Sequence, residues 1–164
     1  MKLVVIFSLL MSFMAPVSAA SLCADSAYKQ FDFWLGNWQV TNPTNDNVSQ
    51  SKISKIIDGC VIFEEYSTPT GYQGKSLNIY DKTRDVWHQT WTDNSGMLLL
   101  LEGSFEDGAM VLEGQLTNDK GEISIQRITW RALTANKVSQ IWQQSIDGGK
   151  TWQTLFDGTY RRVD

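Results

Sequence analysis

The sequence predicts an all-β protein: a single antiparallel up-and-down β-barrel of about ten strands, preceded by a short N-terminal helix. Three observations carry that prediction. Short alternating strands recur across residues 38–162, and turn dipeptides cut them at near-regular spacing. No helical period interrupts them, which argues against a parallel sheet built on crossover helices. A sheet this long does not stay flat, and closing it creates an interior.

The first residues stand apart from that pattern. Lys2 supplies a positive charge, residues 3–14 form an apolar run too short for an ordinary membrane span, and Val17-Ser18-Ala19-Ala20 offers small residues for cleavage. Residues 1–20 therefore read as a signal peptide and residues 21–164 as one barrel domain, periplasmic or secreted. Leu22 stands where a lipoprotein signal wants a small residue before Cys23, so lipidation is not expected. Cys23 and Cys60 are the only cysteines. In an oxidising compartment they read as a disulfide pinning the N-terminal segment to the turn at Asp58-Gly59, and the spacing lacks the Cys-x-x-Cys of reactive thiol pairs.

The formal net charge is −4, and loss of Lys2 with the leader makes the remainder one unit more acidic. No basic residues cluster, so no nucleic-acid partner is expected. No further apolar segment is long enough to span a bilayer after cleavage.

Along the chain, residues 26–35 read as a helix with Asp25 or Ser26 as its cap and Phe31, Trp34 and Leu35 on one face, suited to plugging one barrel end. Strands follow at residues 38–41, 52–57, 61–67, 76–80, 86–92, 97–105, 110–117, 123–131, 138–145 and 152–162. Asp58-Gly59, Asn94-Ser95-Gly96, Asp107-Gly108 and Asp147-Gly148-Gly149 supply the positive φ of tight hairpins. The 68–74 segment is a longer loop, read as a flexible rim of the barrel mouth.

Register follows from two of these turns. A hairpin centred on Asp107-Gly108 pairs Phe105 with Met110 and Gly103 with Leu112; Asn94-Ser95-Gly96 as a three-residue loop pairs Trp91 with Leu99, Gln89 with Leu101 and Trp87 with Gly103. Both hairpins put apolar residues and glycines on the same face, as a period of two demands. The interior is then lined by Trp87, Gln89, Trp91, Leu99, Leu101, Phe105, Met110 and Leu112. Gly103, Gly108 and Gly114 ease strand coiling and leave space. His88, Glu102 and Glu113 fall outside, which removes the Glu102/Glu113 pair as an acid–base site.

Little else in the chain suggests catalysis. One histidine, His88, builds neither a zinc site nor a nucleophilic triad, and its outward face argues against haem, so no metal and no cofactor is expected. Glu64 is the best candidate acid. The Asp58-Gly59 hairpin sets it beside Ile53 and in line with Ile62 and Tyr66, where a carboxylate would be a ligand or catalytic group. A different register, with Lys55–Glu64 and Lys52–Glu65 as surface pairs, stays open. Arg127 alternates with Ile125 and Thr129, and the period does not decide its face: inward, it would partner Glu64 and favour an anionic or polar head; outward, it would be an ordinary cation. Gln140 shares a face with Trp142, and Trp152 is grouped with Phe156 and Tyr160. Ser145-Ile146-Asp147-Gly148-Gly149-Lys150-Thr151-Trp152 matches the Asp-box turn, in which the carboxylate accepts backbone N–H groups while the indole packs beneath. That turn is structural in the propellers where it recurs.

Several segments together resemble a known family: Phe31-Asp32-Phe33-Trp34-Leu35-Gly36-Asn37-Trp38, Gly74-Lys75-Ser76-Leu77-Asn78-Ile79-Tyr80-Asp81, Trp87-His88-Gln89-Thr90-Trp91-Thr92-Asp93-Asn94, and the Asp-box segment with Phe156-Asp157-Gly158 and Tyr160. The chain is similar over nearly all of residues 21–164 to a bacterial family of secreted, lipocalin-like (calycin-type) proteins. The resemblance implies a calycin-like barrel and implies no activity. Matching motif positions are Glu64, Asn78, Tyr80, Gln89, Trp91, Arg127, Gln140 and Trp142; Asn37 stands where the family pattern more often shows an acid.

The expected function is therefore a barrel binding a small apolar or amphipathic ligand, with Trp87, Trp91 and Trp142 as apolar walls and Glu64, Asn78, Tyr80, Gln89, Arg127 and Gln140 as polar positions. The alternatives are a small-molecule enzyme using a Glu64/Arg127 pair, and an envelope interaction module using an exposed surface.

Overall fold

The computed structural model describes residues 22–163; the expected signal peptide lies outside the described residues. Ten strands form one closed antiparallel barrel: β1 (Gly36–Asn42), β2 (Asn45–Ile56), β3 (Val61–Ser67), β4 (Gln73–Asp81), β5 (Val86–Asp93), β6 (Leu98–Glu106), β7 (Ala109–Thr117), β8 (Ile123–Thr134), β9 (Lys137–Ser145) and β10 (Gln153–Val163). Each strand pairs with its sequence neighbour, and β1 pairs with β10 to close the ring. The up-and-down order follows from the short connections: a tight turn returns the chain only to the adjacent strand. Asp58, Asp107, Gly59 and Gly108 adopt positive φ at the β2–β3 and β6–β7 turns, as the Asp-Gly dipeptides require.

Both hairpin registers are as the sequence dictates. Phe105 faces Met110 and Gly103 faces Leu112 across β6–β7, while Trp91 faces Leu99 and Gln89 faces Leu101 across β5–β6. The glycines of this wall permit close strand approach: a Cβ on Gly103 would stand 2.1 Å from the Val111 carbonyl oxygen. Glu102 and Glu113 are opposite each other on the outer face, and each has its own cation. Arg84 and His88 bind Glu102, and Arg127 binds Glu113.

The N-terminal segment differs from the expected helix. It is two 3-10 turns, Ser26–Lys29 and Asp32–Trp34, separated by Phe31 at φ −102° and ψ 7°. The three-residue period aligns Phe31 and Trp34 so that both rings enter the barrel. They stack at 4.9 Å between centroids, with Trp130 and Trp87 at 5.2 and 5.8 Å from Phe31. This aromatic plug closes one pole and is continuous with the buried core that the strands supply. Cys23–Cys60, Lys55–Asp32 and Lys82–Asp25 fasten it to the β2–β3 and β4–β5 ends.

Candidate functional site

Opposite the plug, the barrel opens into a cavity of about 380 Å³. Its rim is formed by the β1–β2 hairpin and the 68–72 segment, its walls by side chains of β1, β3, β5, β6, β8, β9 and β10. Apolar and aromatic groups supply most of the wall: Trp91, Leu99, Ile128, Trp142, Phe156 and Tyr66. The volume falls in the range typical of small-ligand pockets.

The walls are held by polar tethers. Asp93 accepts from the Tyr72 hydroxyl at 2.8 Å and the Trp91 indole at 3.2 Å, and its other oxygen caps the turn through the Ser95 backbone N–H. Burial would raise this carboxyl, but the bonds from Ser95, Tyr72 and Trp91 win and hold it at about 2. The 68–74 loop, expected to be a flexible rim, is tied down on both sides: Asn94 donates to the Gly71 carbonyl and accepts from the Gln73 N–H, and the Thr68 N–H bonds the Tyr72 carbonyl. On the far wall the Trp142 indole donates to Gln126 at 2.8 Å.

The cavity ends on a buried polar floor centred on Glu64, which is 3 % exposed. The register that puts Glu64 opposite Ile53 also puts it opposite Ser76 on β4, so three neighbouring strands converge on its carboxyl. Ser51 donates to Oε1 at 2.8 Å and Ser76 to Oε2 at 3.2 Å. Behind them, Asn78 donates to the Ile62 carbonyl at 3.1 Å and to Ser76 Oγ at 2.9 Å, and Gln89 donates to Asn78 Oδ1 at 2.8 Å. The Ile62 carbonyl can only accept, so it fixes the orientation of the Asn78 amide; that fixes Gln89 and leaves the Ser76 proton for Glu64. On the other side the Tyr160 hydroxyl donates to Gln140 Oε1 and also lies against Glu64. Desolvation by burial is the largest influence on Glu64 and outweighs the bonds from Ser51 and Ser76, raising its pKa from 4.5 to about 7.

The residues singled out from sequence fall into four places. Glu64, Gln89, Trp91, Gln140 and Trp142 line the cavity, and Asn78 stands immediately behind Gln89. Trp87 is at the plug, where its indole donates to Gln30 at 2.9 Å. Tyr80 is there too, packed on Tyr28 and Trp87 with its hydroxyl on Asp85. Neither reaches the cavity, because each is displaced toward the plug along its strand. Arg127 lies on the outer face, bonded to Glu113 and with its guanidinium 3.8 Å from the Trp152 ring. Glu64 points into the lumen and Arg127 away from it, so the two form no pair; Lys55 faces Ile62 rather than Glu64, while Lys52 does stand opposite Glu65.

The last strand departs from the expected grouping of Trp152 with Phe156 and Tyr160. A bulge between Thr154 and Phe156 inserts Leu155 and reverses the alternation. Phe156 and Tyr160 line the cavity, while Trp152 is separated from them under Arg127. The Asp-box turn is formed and structural: Asp147 accepts from the Thr151 hydroxyl and from the Thr151 and Lys150 backbone N–H groups, which hold it at about 2. Ser51, Ser76, Tyr66, Tyr72, Asp93 and Tyr160 belong to the site and were not singled out beforehand as site residues. Asp93 had a local signal, since Asp-Asn-Ser-Gly is a side-chain-capped turn; Ser51 and Ser76 had none apart from the register of Glu64.

No cluster of three or more metal-binding side chains exists among the described residues, and none of the described helices is long and apolar enough to cross a membrane. In comparisons with known proteins, no family model and no curated sequence matches this chain.

Proposed function

We propose that the protein is a periplasmic or secreted barrel that binds a small, mostly apolar or amphipathic ligand in its lumen. One observation carries the reading: an open cavity walled by aromatic and aliphatic side chains ends on a few convergent, buried polar groups. That combination removes apolar ligand surface from water while fixing the orientation of one polar end. The Cys23–Cys60 disulfide supports the oxidising compartment. The lipocalin-like kinship suggested by the motifs agrees with the same reading.

Trp91 and Trp142 make the test direct, because both contact the cavity. Titration with a panel of lipophilic small molecules is expected to give saturable quenching of tryptophan fluorescence, weakened by Trp91→Leu. Absence of quenching by every member of the panel would remove the reading.

A second reading, an envelope interaction module, is favoured by exposed Leu77, Ile79, Leu98 and Leu100 on the outer face of β4 and β6. It predicts that Leu98→Ser/Leu100→Ser abolishes capture of a membrane or protein partner while sparing the quenching above. An unchanged partner profile would exclude it.

A further inference from the structure

Glu64 is the only charged residue among the described side chains that line the cavity; no lysine, arginine or histidine reaches it. A ligand with a carboxylate or phosphate head would therefore meet no cation and would stand against an acid. The hydrogen-bond order of the floor points the same way. Starting from the Ile62 carbonyl, Asn78 is fixed as donor to Ser76, and Ser76 and Ser51 both turn their protons toward Glu64. The network is polarised to support an acceptor at Glu64, and the two serines fill only part of the four or so lone-pair positions of a carboxylate. Gln89 gives one of its two amide N–H groups to Asn78 and lines the cavity, so its carbonyl oxygen remains able to accept from a ligand. The cation-free floor thus presents a carboxylate and an amide oxygen as acceptors, flanked by the amide N–H groups of Gln140, whose oxygen takes the Tyr160 proton. Around it stand Tyr66, Tyr72, Trp91, Trp142, Phe156 and Tyr160, whose ring faces attract cations.

We propose that the cavity takes an amphipathic organic amine, its ammonium group seated on the Glu64 carboxylate and the Gln89 carbonyl and its apolar body against Trp91 and Trp142. This rests on the ligand-binding reading above and specifies its chemistry. A bidentate or three-proton donor matches the vacant acceptors, and the aromatic wall replaces part of the water an ammonium ion gives up. The groups facing Glu64 are Ser51 on β2, Tyr66 on β3, Ser76 on β4 and Tyr160 on β10, none of them charged at neutral pH. Binding an ammonium near neutrality then displaces the Glu64 proton into solvent, which agrees with the high affinity of this buried acid for its proton.

Three molecules sharing a phenylethyl body, 2-phenylethylamine, 2-phenylethanol and 3-phenylpropanoate, separate the possibilities by calorimetry on the intact barrel. At pH 8 the amine is expected to bind at least tenfold more tightly than the alcohol, and the carboxylate more weakly than either. Glu64→Gln is expected to bring the amine-to-alcohol ratio to about one. Wild-type amine affinity should fall tenfold or more between pH 8 and pH 5.5, and titration at pH 6.5 in buffers of different ionisation enthalpy should show proton release. The wild-type pH profile and proton count serve if Glu64→Gln does not fold. Carboxylate binding as tight as amine binding, or an amine preference that survives Glu64→Gln, overturns the charge assignment while leaving the cavity reading intact. Failure of all three molecules to bind overturns the amine proposal, while the cavity reading stands or falls by the quenching panel.

Discussion

The indole of Trp91 lies over the bare α-carbon of Gly74: a Cβ placed on that glycine would sit 2.2 Å from the ring. The two residues are diagonal neighbours on paired strands, two positions out of register, Gly74 opposite Asp93 and Trp91 opposite Ser76. The missing side chain is what lets the largest wall residue lie down along the cavity. Gly74→Ala should therefore displace Trp91 and cost about 1–3 kcal/mol, the usual range for overpacking. Fluorescence of the free protein should shift to longer wavelength, and ligand quenching should weaken. An unchanged spectrum would mean that the ring has room to move aside.

Glu64 makes stability depend on pH with a defined sign. Its carboxyl titrates at about 7 in the fold against 4.5 for an ordinary glutamate. The folded state therefore holds its proton more tightly, so this stabilisation is complete below about pH 4.5 and is lost as pH rises through about 7. The loss at alkaline pH is of order 3 kcal/mol. Glu64→Gln mimics the neutral acid and should be the more stable protein at pH 8.5, with the difference shrinking toward zero near pH 4.5. Urea denaturation across that range checks it; parallel pH curves for the two proteins would refute it.

Cys23 and Cys60 are separated by 37 residues, a loop that includes both 3-10 turns, β1 and β2. Replacing both with serine frees the plug segment in the unfolded chain and should cost about 2–4 kcal/mol. The denaturation midpoint should fall while the slope rises or stays constant. A cost below about 0.5 kcal/mol would mean that the Phe31–Trp34–Trp130 packing alone positions the plug.

Arg127→Ala tests the geometry from the other side of the wall. The side chain bonds Glu113 and covers Trp152 at the surface, so its removal should cost no more than about 1 kcal/mol. Ligand affinity should be unchanged. A tenfold loss of affinity would require Arg127 to reach the lumen in the bound state.

Legibility in the sequence tracked the turns. Asp107-Gly108 and Asn94-Ser95-Gly96 set the register of β5, β6 and β7, and from these the inward set of Gln89, Trp91, Leu99 and Met110 follows without further information. Glu64 was readable for the same reason, since Asp58-Gly59 sets it opposite Ile53. Its partner Ser76 was not, because the segment between β3 and β4 is a longer loop that fixes no register by itself. Arg127 was ambiguous because its strand mixes polarity on both faces: Gln126 is buried inside, Ile125 lies outside. Trp152 does not share a face with Phe156 and Tyr160 because the bulge at Leu155, which leaves no local sequence mark, turns every later side chain over. The N-terminal plug was legible as an aromatic face, but not as two 3-10 turns, which packing against Trp87 and Trp130 decides.

Closure of β1 onto β10 has a geographical consequence. Asn37 pairs with Val163, and Cys23 is bonded to the β2–β3 turn, so the chain enters and leaves the barrel at the same pole, the plugged one. The rim lies at the antipode. Anything attached beyond Val163, whether a purification handle, a surface or a second protein, hangs from the base and leaves the mouth facing outward. A chip coupled through the C-terminal end would thus present every molecule with its opening toward solution.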